Sequence, residues 1–273
     1  MPAALFQVDG AQLVPDPVTR GGWSDLAQHG SPPAGILARA VERVPTAAPM
    51  QVVRFTIDLF REVPIAPLTV TTEILREGRR IQLVRARLHH GSVEVGQAVA
   101  LKIRTASFAE LGELTGSAPV DDVPDPGPEE LPILDWRDTF GSGIDVPRFH
   151  TDGVEIRTVD DSFVKPVAGH SWFRLLQPLV AGEAVTPFQR VATLSDLANG
   201  NAQALDPQRW LFVNPDITLY LHRLPESEWI GMKSEVQQED SGIGMTDTVV
   251  YDLRGRIGRI VQAQLLDLRS PVS

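Results

Sequence analysis

This chain of 273 residues holds six histidines and no cysteine, so thiolate nucleophiles, disulfides and zinc-thiolate sites are excluded together. The run Gly169-His170-Ser171-Trp172-Phe173 lacks the closing glycine of a nucleophile elbow, and it gives no sign of a covalent intermediate on Ser171. His89 and His90 are neighbours on a strand, so they point to opposite faces and cannot grip one metal ion from a single face. His222 reads as an exposed strand end, and His29 with Gly30 as a turn from strand into helix. Arg76, Arg79, Arg80, Arg85 and Arg87 would suit a phosphate-bearing ligand, although a solvated, charged strand face explains them better.

The elements that must position any such group are written twice. The strand Phe55-Thr56-Ile57-Asp58-Leu59-Phe60-Arg61 has a second version in Ile217-Thr218-Leu219-Tyr220-Leu221-His222-Arg223, with Arg61 and Arg223 162 residues apart. Each arginine is followed by a proline, Pro64 or Pro225, and each copy closes with a glycine turn into a last strand, 93–103 or 256–267. A period of this size implies two similar domains in one chain rather than a solenoid, with a site near their shared interface.

In the first copy, Ser31 can cap a helix over 32–44, prolines suit its first turn, and Pro45 ends it. Ile36, Leu37, Ala40, Val41 and Val44 give that helix a broad apolar stripe. Strands are predicted at 51–61, 68–76, 81–89 and 93–104, with Glu77-Gly78 and His90-Gly91 as hairpin turns. In the second copy, strands at 154–159 and 172–176 precede a helix at 187–197, which the polar stop Asn199-Gly200-Asn201 ends. Strands at 212–223, 229–237, 245–251 and 256–267 complete it. One helix against a curved antiparallel sheet, made twice, is an α+β double hotdog.

The predicted divisions are a first domain over 1–115, a linker over 116–134 rich in proline and acid, and a second domain over 135–273. A net charge of −10 argues against nucleic acid and acidic membrane surfaces as partners. No leader pattern and no apolar run of spanning length is seen, so no membrane insertion is expected and the cytoplasm is the default compartment.

Three stretches together resemble the acyl-CoA thioesterase II family and its actinobacterial thioesterase-like relatives. They are His29-Gly30-Ser31-Pro32-Pro33-Ala34, the span from Asp58-Leu59-Phe60-Arg61 to Glu73-Ile74-Leu75-Arg76-Glu77-Gly78-Arg79, and Ser195-Asp196 before a strand ending His222-Arg223. The resemblance covers nearly the whole chain outside the linker. It implies hydrolysis of acyl-CoA in lipid metabolism without cofactor or metal, by an Asp, a Thr or Ser, and a Gln of the second hotdog. Those positions fall on Asp196, Asn214 and Gln262, with Asp196 as general base and the two amides holding the water.

Asn214 departs from the family hydroxyl: an amide donates and accepts hydrogen bonds but does not pass a proton as a hydroxyl does. Thr218 would supply a hydroxyl only in a different register. Each residue also has an ordinary reading: Asp196 as a carboxylate at a helix end, Asn214 as a turn former before Pro215, and Gln262 as a satisfied core amide beside Ile260 and Gln264. Two other functions share the fold. One is an acyl-CoA-binding protein without turnover. The other is a hydratase or dehydratase, whose Asp and His stand close together at the helix entrance, whereas Leu197 to Asn201 contain no His. Exposed faces of the joined sheet suggest a homodimer of double hotdogs.

Overall fold

Alternation of apolar and polar side chains builds most of this protein. A computed structural model describes residues 4–108, 110, 125–134, 146–159, 169–203, 205–206 and 209–269. The first repeat contributes β3 (Met50–Leu59), β4 (Thr69–Arg76), β5 (Ile81–His90) and β6 (Val93–Arg104), after a small hairpin of β1 (Phe6–Asp9) and β2 (Gln12–Pro15). β5 shows the period clearly, burying Gln82, Val84, Ala86 and Leu88 on one face. The second repeat contributes β7 (Val154–Thr158), β8 (Gly169–Leu175), β9 (Trp210–Val213), β10 (Asp216–Leu221), β11 (Ile230–Gln238), β12 (Ile243–Asp252) and β13 (Gly255–Leu268).

One continuous sheet runs β4-β5-β6-β3-β10-β13-β12-β11-β8-β7, with β9 paired to the end of β13. Its seam is the antiparallel pair β3–β10, where Thr56 faces Thr218. Those two residues are 162 apart, the spacing of the sequence repeat, so each faces its own counterpart across a local two-fold axis. The equivalence extends along the sheet: Leu59 pairs with Gly96 as Leu221 pairs with Gly258, and Val84 with Ala100 as Thr246 with Gln262. A polar pair in the second repeat therefore replaces an apolar pair in the first.

Two helices lie against this sheet, α1 (Ser31–Glu42) and α2 (Pro187–Leu194). They touch at Gly35, where an added Cβ would fall 2.3 Å from Thr193 Oγ1. Thr186 caps α2, accepting from the Gln189 N–H at 3.1 Å, and its hydroxyl donates to Glu42 Oε2 at 2.7 Å. The end of α1 is thereby tied to the start of α2. Ile36, Leu37, Val41, Phe55, Phe188 and Leu219 belong to one core that spans both repeats.

The repeated arginines have diverged. Arg223 donates to both oxygens of the fully buried Asp252, at 2.7 and 2.6 Å. The first repeat has His90 at the position equivalent to Asp252, and Arg61 is exposed with no ion-pair partner among the described residues.

Three local expectations are corrected. The strand expected over 212–223 is two strands, because Pro215 has no N–H for the ladder; the Asp216 carboxylate accepts the Ala263 N–H at 2.9 Å at the break. Asn199-Gly200-Asn201 does not stop a helix. After a tight turn over Ser195–Leu197 it forms α3 (Ala198–Asn201), whose buried Asn201 amide donates to Met232 O at 3.1 Å and Ser234 Oγ at 2.9 Å. Ser31 is the first residue of α1 rather than its cap, which is Gly30. Of the expected linker, residues 116–124 lie outside the described residues, while Leu134 donates to Ile156 O at 2.8 Å along β7.

Candidate active site

The start of α1 from the first repeat, and the turn after α2 from the second, converge on one carboxylate. Asp196 is only 6% exposed, and its Oδ2 lies 2.7 Å from His29 Nδ1. Its Oδ1 accepts from Asn214 Nδ2 at 2.7 Å, and the Ser31 N–H at the first turn of α1 is directed at the pair, 3.2 Å from His29 Nδ1 and near enough to the carboxylate to favour its charge. Burial pushes the carboxyl up, but the His29 charge and hydrogen bond, then the Asn214 and Ser31 donors, outweigh it and hold Asp196 below the usual aspartate range.

Gly30 makes that approach feasible. A Cβ there would sit 2.7–2.8 Å from the carboxylate atoms of Asp196. Gly30→Ala is expected to push the carboxylate off its donors and to lower turnover about 100-fold while the protein still folds, since a misplacement near 1 Å costs about that much. Steady-state rates alongside a melting curve check this.

Asn214 sits at the break between β9 and β10, so its side chain is not committed to a strand face. From it a chain of amides runs inward. Asn199 Nδ2 donates to Asn214 Oδ1 at 3.2 Å and to Phe212 O at 2.8 Å; Gln264 Nε2 donates to Asn199 Oδ1 at 2.7 Å and to Thr246 Oγ1 at 3.0 Å. Every link has a defined direction, which orients the Asn214 amide nitrogen towards Asp196. Gln262 stands outside this chain. It is fully buried, and neither its amide oxygen nor its nitrogen has a partner among the described residues. Thr218 spends its hydroxyl on Thr56 Oγ1, 3.4 Å away across the seam.

The structure thus joins Asp196 to Asn214, and leaves Gln262 unbonded to either. Sequence reasoning missed His29, Asn199 and Gln264. His29 read as a turn because its partner belongs to the other repeat, and Asn199 read as a helix stop. The absence of a His after Asp196 in the chain does not leave this carboxylate without one, because His29 supplies it.

The site opens on a cavity of about 620 Å³ lined by both repeats. Trp23, Phe60, Phe173 and Phe212 line it, whereas Trp172 is buried against Gly231 and Trp210 lies elsewhere. Arg61, Arg148 and Arg269 also line it. Arg148 donates to Gly21 O and pairs with Asp25. Arg269 lies over the Trp23 ring at 4.9 Å; its Nε is buried without a hydrogen-bond partner, and burial pulls its pKa down with no carboxylate to offset it. None of Arg76, Arg79, Arg80, Arg85 and Arg87 lines the cavity; Arg85 and Arg87 pair with Glu73. No group of three or more His, Asp or Glu among the described residues is placed to hold a metal ion.

Comparison with known proteins follows the same division into repeats. A family model described as the acyl-CoA thioesterase N-terminal domain matches residues 19–103, and one described as the acyl-CoA thioesterase C-terminal domain matches 119–266. Among solved structures, the acyl-CoA thioesterase II TesB2 from Mycobacterium marinum is similar at 16% identity and TM-score 0.65, covering 90% of this chain and 92% of that one. A tesB protein from Mycobacterium avium subs. paratuberculosis matches at 14% and 0.65, covering 95% and 94%. A conserved protein of unknown function with a hot dog fold from Alicyclobacillus acidocaldarius matches at 16% and 0.67, covering 98% and 96%. These likenesses show the double hotdog fold. No curated protein matches the chain.

Proposed function

Because this chain belongs to the acyl-CoA thioesterase family, we propose that it hydrolyses a fatty acyl-CoA to free acid and CoA. Water is activated at a site that depends on the charge of Asp196, directly or through its partner, and no covalent intermediate forms. The observation that carries this reading is the buried, ionised Asp196 at the N-terminus of α1, facing a cavity with a largely apolar wall. An acyl chain suits that wall, and the positive end of α1 favours the oxyanion that develops on the thioester carbonyl. Asn214 keeps a second amide hydrogen for a water, and Gln262 has its whole amide to offer one.

The experiment is release of free CoA from acyl-CoAs running from acetyl to palmitoyl. Turnover of some chain length supports the reading. Binding of acyl-CoA without turnover replaces it with a binding protein, for which Asn214 in place of a hydroxyl is the motive. A second enzymatic reading is favoured by one observation, the Asp196–His29 pair: hydration of a 2-enoyl-CoA needs such a pair at the helix entrance. Loss of enoyl absorbance without free thiol would establish that reaction instead.

Two guanidinium groups on the cavity, Arg61 and Arg269, have no carboxylate partner among the described residues, and they support a substrate whose carrier is anionic, as the phosphates of CoA are. Arg269→Gln is expected to raise KM for acyl-CoA about tenfold or more, the loss of one hydrogen bond to a charged group, and to leave kcat unchanged. The matching S-acyl-N-acetylcysteamine, which has no phosphate, should show no change in KM. Equal effects on both thioesters would remove Arg269 from carrier recognition. Exposed Ile243, Leu265 and Leu268 on the second-repeat strands support pairing of two copies, which a single 29.9 kDa species in sedimentation would overturn.

A further inference from the structure

We propose that the proton of the attacking water is taken by His29 through Nε2, and that Asp196 acts through His29 by orienting it at Nδ1. The inference rests on the thioesterase reading and assigns its proton transfer. Nδ1 lies 2.7 Å from an ionised carboxylate oxygen, so Nδ1 carries the hydrogen in the neutral ring and the lone pair is on Nε2. The Ser31 N–H is directed at the same pair, 3.2 Å from Nδ1; with Nδ1 protonated against the carboxylate, that donor is left to favour the charge of Asp196.

Three features distinguish the two groups. Asp196 has each oxygen engaged, Oδ2 by His29 and Oδ1 by Asn214, and a carboxylate so held is a weak proton acceptor and a strong anchor. His29 is 18% exposed and lines the cavity, and Nε2 has no hydrogen-bond partner among the described residues. The ring is held in place by Asp196 on one side and by Phe149 and His150, at centroid distances of 5.2 and 6.2 Å, on another. A base presented to the substrate and oriented from behind by a third group is the arrangement that water activation requires.

The step balances without a co-reactant. Nε2 takes a proton as the water oxygen bonds to the thioester carbonyl carbon, whose π electrons move to oxygen. On collapse the C–S bond breaks, sulfur leaves with the bonding pair, and the proton on Nε2 passes to it. One imidazole serves as base and then as acid, giving carboxylic acid and thiol.

The test is CoA release across pH by wild type, His29→Gln and His29→Ala. Gln can still donate to Asp196 but cannot take a proton, so kcat should fall about 10²- to 10⁴-fold with little change in KM. Added imidazole should restore part of the activity of His29→Ala. In wild type, kcat/KM should fall on acidification, because a protonated Nε2 accepts nothing. Asp196, His150, Arg61, Glu62, Arg148 and Arg269 are the other charged or titratable groups on this wall, and none should reproduce that limb when His29 is replaced. The wild-type profile needs no variant, so a poorly folding substitution does not spoil the test. Wild-type turnover with a flat acid limb, or with His29→Gln within threefold of it, overturns the role of His29 and leaves the thioesterase reading standing. No hydrolysis of any acyl-CoA by wild type overturns both.

Discussion

Asp196→Asn is expected to lower kcat for acyl-CoA hydrolysis by about 10³-fold or more, with KM changed far less. The substitution keeps the volume and removes the charge. It also breaks the hydrogen-bond pattern, because the carboxylate accepts from His29 and from Asn214. An amide in its place must turn its NH₂ towards one of those donors, which reorients the His29 ring or expels it. Rates at saturating acyl-CoA, measured beside wild type, decide the matter. A variant within tenfold of wild type would remove Asp196 from the reaction. The same carboxylate predicts a pH effect on stability. Its folded-state pKa is depressed, so its contribution is present above the ordinary aspartate range and is lost as pH falls through the lowered value.

Asp252→Asn is expected to cost about 3–5 kcal/mol of stability and to leave kcat unchanged, because it strands the Arg223 guanidinium beside a neutral group. Asp252 is fully buried and accepts two hydrogen bonds from Arg223, one from the Glu226 N–H at 2.8 Å and one from the Arg254 N–H at 2.9 Å. Burial alone would raise its pKa, but Arg223 and these backbone donors bring it below the usual value. Its stabilisation is therefore also lost as pH falls through that lowered value. Denaturant unfolding of wild type and variant at neutral pH measures the difference. Less than 1 kcal/mol would mean that the pair contributes little beyond geometry. Arg61 provides an internal comparison, since it occupies the equivalent position without a carboxylate and should be replaceable at little cost in stability.

Much of the architecture is legible before any coordinates, because strand alternation and helix stripes are local properties. The two-part division also comes from the chain alone: residues 162 apart with similar surroundings turn out to face each other at Thr56 and Thr218. Local rules fail where distant groups take over a local task. Gly30 rather than Ser31 precedes α1, where Asp196 of the other repeat approaches, and Asn199-Gly200-Asn201 forms a helical turn of its own because strand groups satisfy its amides.

By itself the sequence determined the antiparallel strands, the helices with their apolar stripes, and the repeat that joins them as a double hotdog. Periodicity and turn chemistry act over a few residues, so they can be read from a few residues. Only the tertiary structure decided that Asp196 meets His29 of the other repeat, that Gln264 rather than Gln262 joins the amide chain, and that Arg61 and Arg269 border the cavity while Arg223 is neutralised. Those outcomes depend on which side chains distant in the chain the packed sheet and helices bring within about 3 Å, and hydrogen bonds and ion pairs over such distances leave no period in the chain.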